Sequence, residues 1–409
     1  MSDEVKRKTE ETGVDFGQVI AWWRNVRERE LTIAVLAVVG VLVFPWLFVE
    51  LPTMLGFPSD VVGYYGLATL ILIWAIFAIG FDLLLGYTGL LSFGHAAFWG
   101  GAAYAAGIFS SRVVGSPLAM LAFGTLFAVV MAWAMGYLSL RRGGIYFSIL
   151  TLAFGQMLFY MSSAPLAFLT NGENGFTDVR IEPLFGMVDL ANEMPWFLGD
   201  FLGNWLYGFV GVFAVLAVVV GYRILNSPYG IVLDAIHENE QRAEFVGLNV
   251  WRYKLMAFII SGAFAGVAGS LYTLYKAYVP LRTLNWTQSG EIVIMTILGG
   301  TGTLFGPIFG AGAYLYVANI VSGFTTLGPY WHLILGAVFV VAIVLFPRGI
   351  WGLLKDFTAF VSLAVREPQA ASQVVKRKAR VAVDWVVDVA RRVVSLPGRI
   401  AAFVSGGAP

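Results

Sequence analysis

Residues 61–80 read VVGYYGLATLILIWAIFAIG, without one charged side chain. A helix needs roughly 20 predominantly apolar residues to cross the hydrocarbon core of a bilayer, and this run is long enough by itself. The same reading extends outward in both directions. Apolar runs of comparable length occur at about 31–50, 84–109, 116–138, 144–163, 203–224, 254–274, 303–322 and 330–347. A shorter piece, 290–299, cannot span as a helix and is predicted to be a half-helix or a re-entrant segment. The expected fold is all-α and membrane-integral: a polytopic bundle of about nine to ten transmembrane elements with glycine-interrupted segments.

Composition supports that class. Of 409 residues, 58% are hydrophobic and only 12% charged, and the mean hydropathy is +0.77. A soluble domain is usually about 25% charged, so lipid is the expected solvent here. Glycine (47 residues) and aromatics (15%) are both abundant, as in membrane helices and their interfacial belts. A net charge of +1 gives no electrostatic footprint for nucleic acid. The absence of cysteine excludes disulfides, thiolate metal sites and a cysteine nucleophile. The charged first thirty residues argue against a removable signal peptide.

Lysine and arginine in short loops orient such a chain. Arg24, Arg27 and Arg29 place the N-terminus in the cytoplasm. Alternation then puts Arg141 and Arg142 inside, the 164–202 loop outside, and the 225–253 loop inside with Arg223, Arg242, Arg252 and Lys254. Arg348 and Lys355 also fall inside if 290–299 counts as a crossing. The expected organisation is a cytoplasmic extension over 1–30, a transmembrane domain over 31–354, a cytoplasmic loop over 225–253 within it, and a cytoplasmic basic tail over 355–409. In that tail Arg377, Arg380, Asp384, Asp388, Arg391 and Ser395 form one polar stripe. That stripe suits an amphipathic helix on an anionic leaflet or against a partner. The outer loop is rich in turn formers such as Asn171, Gly172, Asn174 and Gly175. It reads as a surface cap or as a docking or gating surface.

Catalytic constellations are missing. No GxxxxGK loop, HExxH or GxSxG is present, and His95, His237 and His332 fall in separate segments. Two glycine-dense stretches stand out instead: GYTGLLSFGHAAFWGGAAYAAG (86–107) and GGTGTLFGPIFGAGAYLYVAN (299–319). Small residues let helices approach closely, and paired glycine-interrupted segments point to a substrate path at a repeat interface. Polar residues at membrane depth are costly and therefore informative. Thr88, Ser92, His95, Thr151, Gln156, Gly299, Gly300, Gly302 and Thr303 are the candidate translocation pathway. His95 is expected to bond a backbone carbonyl, and Asp82 to reach the interface near the cytoplasmic end of its helix.

The charge-dense segment SPYGIVLDAIHENEQRAEFVG (227–247) reads as one amphipathic helix over 231–246 after the Pro228–Gly230 break. Leu233, Ile236, Ala243 and Val246 share a face with Glu240 among them. Asp234, Glu238 and Arg242 follow at steps of four and are expected to pair on the helix surface. Gly247 ends the helix. Such a helix either ties two membrane helices together or inserts into a cytoplasmic partner.

Four stretches in order carry a family resemblance: GYTGLLSFGHAAFWGGAAY, TNGENGFT, SPYGIVLDAIHENEQRAEFVGLNVWRYKLMAFIISGAFAGVAGSLY and LGGTGTLFGPIFGA. From about residue 60 to 354 the chain resembles the LivM-like permeases of branched-chain amino acid ABC importers. The resemblance implies a non-enzymatic, multi-pass subunit of the cell inner membrane. Its implied partners are a LivH-like second permease, two cytoplasmic ATPase subunits and an external substrate-binding protein. It also implies that ATP and Mg are held by the ATPases and that this chain holds no cofactor. Asp234, Ala235, Ile236, His237, Glu238, Glu240, Ala243 and Gly247 then form the ATPase-coupling segment, with Ala243 and Gly247 at the alanine and glycine of the EAA-xxx-G pattern. Ile231 and His237 stand where the family commonly has arginine. Urea and short-chain amide importers share this permease type, and a secondary carrier or channel is the alternative of another class.

Overall fold

A computed structural model of the chain describes residues 16–56, 64–195, 199, 202–323, 331–346 and 348–355. Residues 1–15 and the predicted tail helix over 371–396 lie outside them. The chain divides into two compact units, Met1–Trp351 and Gly352–Pro409. In the second, the described residues are 352–355, at the end of the helix Gly349–Lys355.

The described residues of the first unit form helices joined by non-helical connections. Its helices are α1 (Phe16–Pro45), α2 (Tyr65–Thr88), α3 (His95–Arg112), α4 (Pro117–Ser139), α5 (Ile145–Ser163), α6 (Trp205–Leu225), α7 (Pro228–Glu238), α8 (Glu240–Phe245), α9 (Val250–Lys276), α10 (Trp286–Gly299), α11 (Gly306–Gly323) and α12 (Trp331–Leu345). Extended pairing among the described residues is limited to isolated bridges in the connections, such as Phe176 with Val279. The α7 and α8 end of the bundle is called proximal below, and the opposite end distal.

Among the described residues, six helices are long and apolar enough to cross a membrane, and a seventh span arises if Leu333–Val344 and Gly349–Lys355, bent by 45°, are taken together. Two kinds of apolar helix are present. Helix α2 is buried nearly all round: Ile73, Phe77 and Phe81 are fully enclosed, with α6, α9, α10 and α11 packed about it and Trp99 of α3 against Trp74 and Phe77. Helices α1, α4 and α5 turn Val35, Leu36, Val130, Trp133 and Ile149 outward. Apolar surface on that scale marks a lipid or protein environment.

Small residues set the spacing at the centre. Gly262 and Gly266 of α9 lie against Ala132 and Ala128 of α4, and Gly269 against the Trp99 carbonyl of α3. This is the small-residue seam by which membrane helices approach without a hydrophobic driving force.

Two spans predicted as continuous or truncated take a different form. The 84–109 run is not one helix: α2 continues to Thr88, the chain runs without helix over 89–94, and α3 starts at His95. Hydropathy is blind to this break because the intervening residues are themselves apolar or small. The 290–299 piece begins earlier, at Trp286, as a 14-residue helix. At 1.5 Å per residue it covers about 21 Å, short of the roughly 30 Å hydrocarbon core.

The break before α10 is held by the loop between α5 and α6. Phe176 and Val279 exchange backbone hydrogen bonds of 2.8 and 2.9 Å, and the Tyr278 hydroxyl donates to the Asn174 carbonyl at 3.1 Å. Gly175 has φ +72°, and a Cβ there would lie 2.5 Å from the Val279 carbonyl oxygen. The TNGENGF stretch therefore acts as a brace for residues 278–284, beneath which Phe176, Val279, Leu281 and Leu284 form a small apolar cluster with Ala103 and Tyr104.

Replacing Gly269 with Val forces α9 off the Trp99 carbonyl and should destabilise the subunit by about 1–3 kcal/mol, the usual range for overpacking. Gly40→Val is the matched control, because a Cβ at Gly40 meets nothing within 4 Å. Thermal unfolding in detergent should show a lowered transition for the first variant alone.

Candidate functional site

The charge-dense segment folds as two helices, where the sequence predicts one rod. Ser227 caps α7, its hydroxyl accepting from the Gly230 amide. Asn239, at φ −160°, ends α7 and caps α8, its side chain accepting from the Arg242 amide at 2.9 Å. Asparagine competes with the helix for its own backbone partners, and that is the physical reason for the bend. Leu233 of α7 packs into the main core, while Ile236, Ala243 and Val250 form a small core of their own. Val246, predicted on that face, is 78% exposed beside Phe245 at 90%.

The charges also pair differently from the expectation. Among the described residues Asp234, Glu238 and Arg242 form no ion pair with one another. Glu240 instead meets Lys254 of α9 at 2.5 Å, and Lys254 is almost buried. The Tyr229 hydroxyl donates to the Tyr253 carbonyl at 3.0 Å, and the two rings stack at 5.7 Å. Gly247, at φ +93°, turns the chain toward α9, whose first turn is capped by Asn249. The α7–α8 knob is thus fastened to α9 on one side and presents Ile231, Ala235, His237, Glu238, Phe245 and Val246 on the other.

His237 links this knob to the first helix break. Gly89, in the left-handed region at φ +69°, caps α2, and a Cβ there would lie 3.1 Å from the His237 ring. From Gly89 the chain passes inward. Thr88 Oγ1 donates to the Leu84 carbonyl at 2.5 Å, Ser92 Oγ accepts from the Gly94 amide at 3.3 Å, and Ser148 Oγ donates to the Leu91 carbonyl at 2.5 Å. Gly94 lies directly on the Thr151 backbone of α5.

Helix α3 then starts in the interior of the bundle. His95 Nε2 is 2.8 Å from Ser261 Oγ, near the midpoint of α9, and not on the predicted backbone carbonyl. The ring is enclosed by Phe81, Phe98 and Phe258, with centroids at 4.9, 5.2 and 5.7 Å. The Ala96 amide donates to Ser289 Oγ of α10 at 2.8 Å. Both broken elements therefore begin their helices at the same depth and are bonded there.

The second break lies at the proximal end. Gly300 and Gly302 have φ +112° and +71°. Thr303 Oγ1 donates to the Gly300 carbonyl at 2.8 Å and accepts from the Gly306 amide at 3.1 Å, so it caps α11. Gly299 packs on the Gly306 carbonyl, and Gly310 on that of Met295. Asp82 does not reach an interface. It is 2% exposed and accepts from the Gly302 amide at 3.0 Å, tying this break to α2. Asp82, Tyr87, Gly221 and Thr303 line a small cavity beside that bond.

The predicted pathway residues thus fall into two groups. Thr88, Ser92, His95 and Thr151 gather around the first break, and Gly299, Gly300, Gly302 and Thr303 build the second. Gln156 joins neither, and its buried amide nitrogen has no hydrogen-bond partner. Ser261, Ser289 and Asp82 organise the breaks without any sequence motif to announce them. No group of three or more histidine, aspartate or glutamate residues among the described residues could hold a metal ion.

Residues 63–343 match the family model described as branched-chain amino acid transport system / permease component. Among curated proteins, the high-affinity branched-chain amino acid transport system permease protein LivM of Escherichia coli K12 is 28% identical over 322 residues, covering 75% of this chain and 74% of the relative. LivM of Salmonella typhimurium is 27% identical over 302 residues, 70% of each chain. The LivH permease of Salmonella typhimurium is 24% identical over 303 residues, 68% of this chain and 91% of the relative. No solved structure matches the chain. With its apolar helices and two interrupted spans, the chain is a multi-pass membrane protein and belongs to the family of branched-chain amino acid transport system permease components.

Proposed function

We propose that this chain is one permease subunit of an ATP-driven importer of branched-chain amino acids, residing in the cell inner membrane. Its partners in this reading are a second, LivH-like permease, two cytoplasmic ATPases that hold the ATP and Mg, and an external substrate-binding protein; this chain itself holds no cofactor. The proximal end is cytoplasmic. The 89–112 and 277–299 segments each count as one crossing, giving about ten in all. Both termini then lie in the cytoplasm, with 1–30 and 355–409 as flanking extensions. That two kinds of permease, LivM and LivH, both match this chain supports a pair of related subunits around one pathway.

The observation that carries the coupling role is the α7–α8 knob. It exposes Phe245 and Val246 to a partner, is anchored to α9 by Glu240 and Tyr229, and rests His237 on Gly89. A push on the knob would reach the first helix break directly. The pathway runs along the two breaks, with Thr88, Ser92, His95 and Thr151 at one, Gly299, Gly300, Gly302 and Thr303 at the other, and Gln156 farther along α5. Specificity resides largely in the external protein.

The direct test is uptake of labelled leucine by the assembled complex in proteoliposomes. Import should stop when the partner ATPases are inactivated by mutation, and persistent uptake would sink the proposal.

Two variants test the coupling route. Phe245→Ser combined with Val246→Ser removes apolar contact area without touching the knob's own core. The subunit should insert at the wild-type level while co-purification of the ATPases drops; unchanged co-purification would argue against this surface. Gly89→Val puts a β-branched residue into a left-handed conformation, at roughly 1–2 kcal/mol, and against His237. Leucine uptake per ATP hydrolysed should fall in the assembled complex, which side-by-side flux and phosphate-release assays would measure.

A further inference from the structure

Two charges lie alongside α3, away from the distal end of the bundle, and belong to none of the groups above. After α9 the chain descends along α3. Val279 lies at Gly107, 3.2 Å from where a Cβ would stand, and the Thr283 carbonyl lies at Gly100, 2.6 Å from the corresponding point. Ser289 meets the start of α3 at Ala96. Gly107 to Ala96 is about 16 Å along a helix, so Arg282 and Glu291, which flank this descent, sit well below the distal end. Arg282 Nη2 is 3.2 Å from Glu291 Oε1, and the two side chains are 65% and 21% exposed. Gln288 lies one turn back on the same helix.

Exposed charge at membrane depth is expensive against lipid, and such residues face a cavity, a pathway or a partner. Beside the pair the surface is open: a Cβ on Gly290 would meet nothing within 4 Å. Arg282 spends one of its five donors on Glu291, leaving guanidinium N–H groups free to grip a carboxylate in the fork geometry that lysine cannot offer.

We propose that Arg282 and Glu291 form a transient subsite for the backbone of a zwitterionic amino acid. Arg282 takes the α-carboxylate and Glu291 the α-ammonium, while the side chain points to the open space at Gly290. The inference rests on the importer reading above and adds to it the chemical class that the pathway itself recognises. A neutral substrate such as urea gains nothing from this pair.

The test uses the complete importer in proteoliposomes, with leucine as the probe and the double replacement Arg282→Met, Glu291→Gln. Removing both charges together leaves neither one unpaired, so a merely structural ion pair tolerates the change. Leucine uptake should fall about tenfold or more, with the second permease still co-purifying and ATPase stimulation by the binding protein retained. Uptake within about twofold of wild type overturns the subsite, and so does loss of the second permease, which would make the pair a subunit contact. If the double variant fails to reach the membrane, Arg282→Lys is read instead: it keeps the charge but loses the fork. A raised half-saturating leucine concentration supports the subsite, and an unchanged one overturns it. Should the wild-type complex import no amino acid, the importer reading fails as a whole; should it import leucine with the pair dispensable, only the subsite fails.

Discussion

A helix that begins in the middle of a membrane bundle leaves its first amides without water, and unsatisfied backbone groups there cost several kcal/mol each. This chain begins two helices at that depth and meets the difficulty by letting them face each other. The Ala96 amide of α3 donates to Ser289 of α10, and the first amides of α10 turn to Asn285, through its side chain at Thr287 and its carbonyl at Gln288. The neighbouring His95–Ser261 bond fixes the same level on α9. With both helix starts required to meet at one depth, the lengths of α3 and α10, and the non-helical pieces that complete each crossing, are no longer independent.

Close approach is the second constraint, and it follows from the first. Extended backbone can thread a helix bundle only where neighbours give up their side chains. Gly94 on the Thr151 backbone, Gly100 on the Thr283 carbonyl and Gly86 on the Gly302 amide are such places. Asp82 adds an acceptor at the last of these, for the Gly302 amide. The glycine-dense motifs are therefore in part the complement of the breaks: Gly86, Gly94, Gly100 and Gly310 lie where another segment's backbone passes.

Much of this was legible in the sequence, and the misreadings share a cause. Hydropathy and run length locate apolar helices well because burial in lipid is a sum over residues. They do not locate breaks inside apolar sequence, so 84–109 reads as one span although Gly89 turns the chain out of helix. Helical spacing likewise carries 231–246 across Asn239, where a side-chain cap overrides periodicity, and puts Val246 on a buried face that Val250 occupies. The glycine and polar residues of the two breaks were identifiable, because both are costly or useless in an ordinary membrane helix. Their partners were not. Ser261 and Ser289 are ordinary residues made specific by a contact 166 or 193 positions away. Arg282 hides in what reads as a connection between spans, and Glu291 at the start of the short 290–299 piece.

These contacts give the proposed coupling a definite route. The knob is joined to α9 through Glu240–Lys254 and to the first break through His237 at Gly89. Lys254 and Ser261 are about two turns apart on α9, and Gly89 and His95 bound the first break. Both connections thus end on the two partners of one hydrogen bond, His95 to Ser261. A displacement of the knob that moves α9 and the break together leaves that bond intact, whereas a rotation between them breaks it. Because the ring is walled by Phe81, Phe98 and Phe258, the bond cannot be replaced by water without repacking. Packed interiors of this kind favour discrete arrangements over continuous deformation. In the proposed coupling, the buried histidine is the point at which motion at the proximal end would become a change in the broken helices.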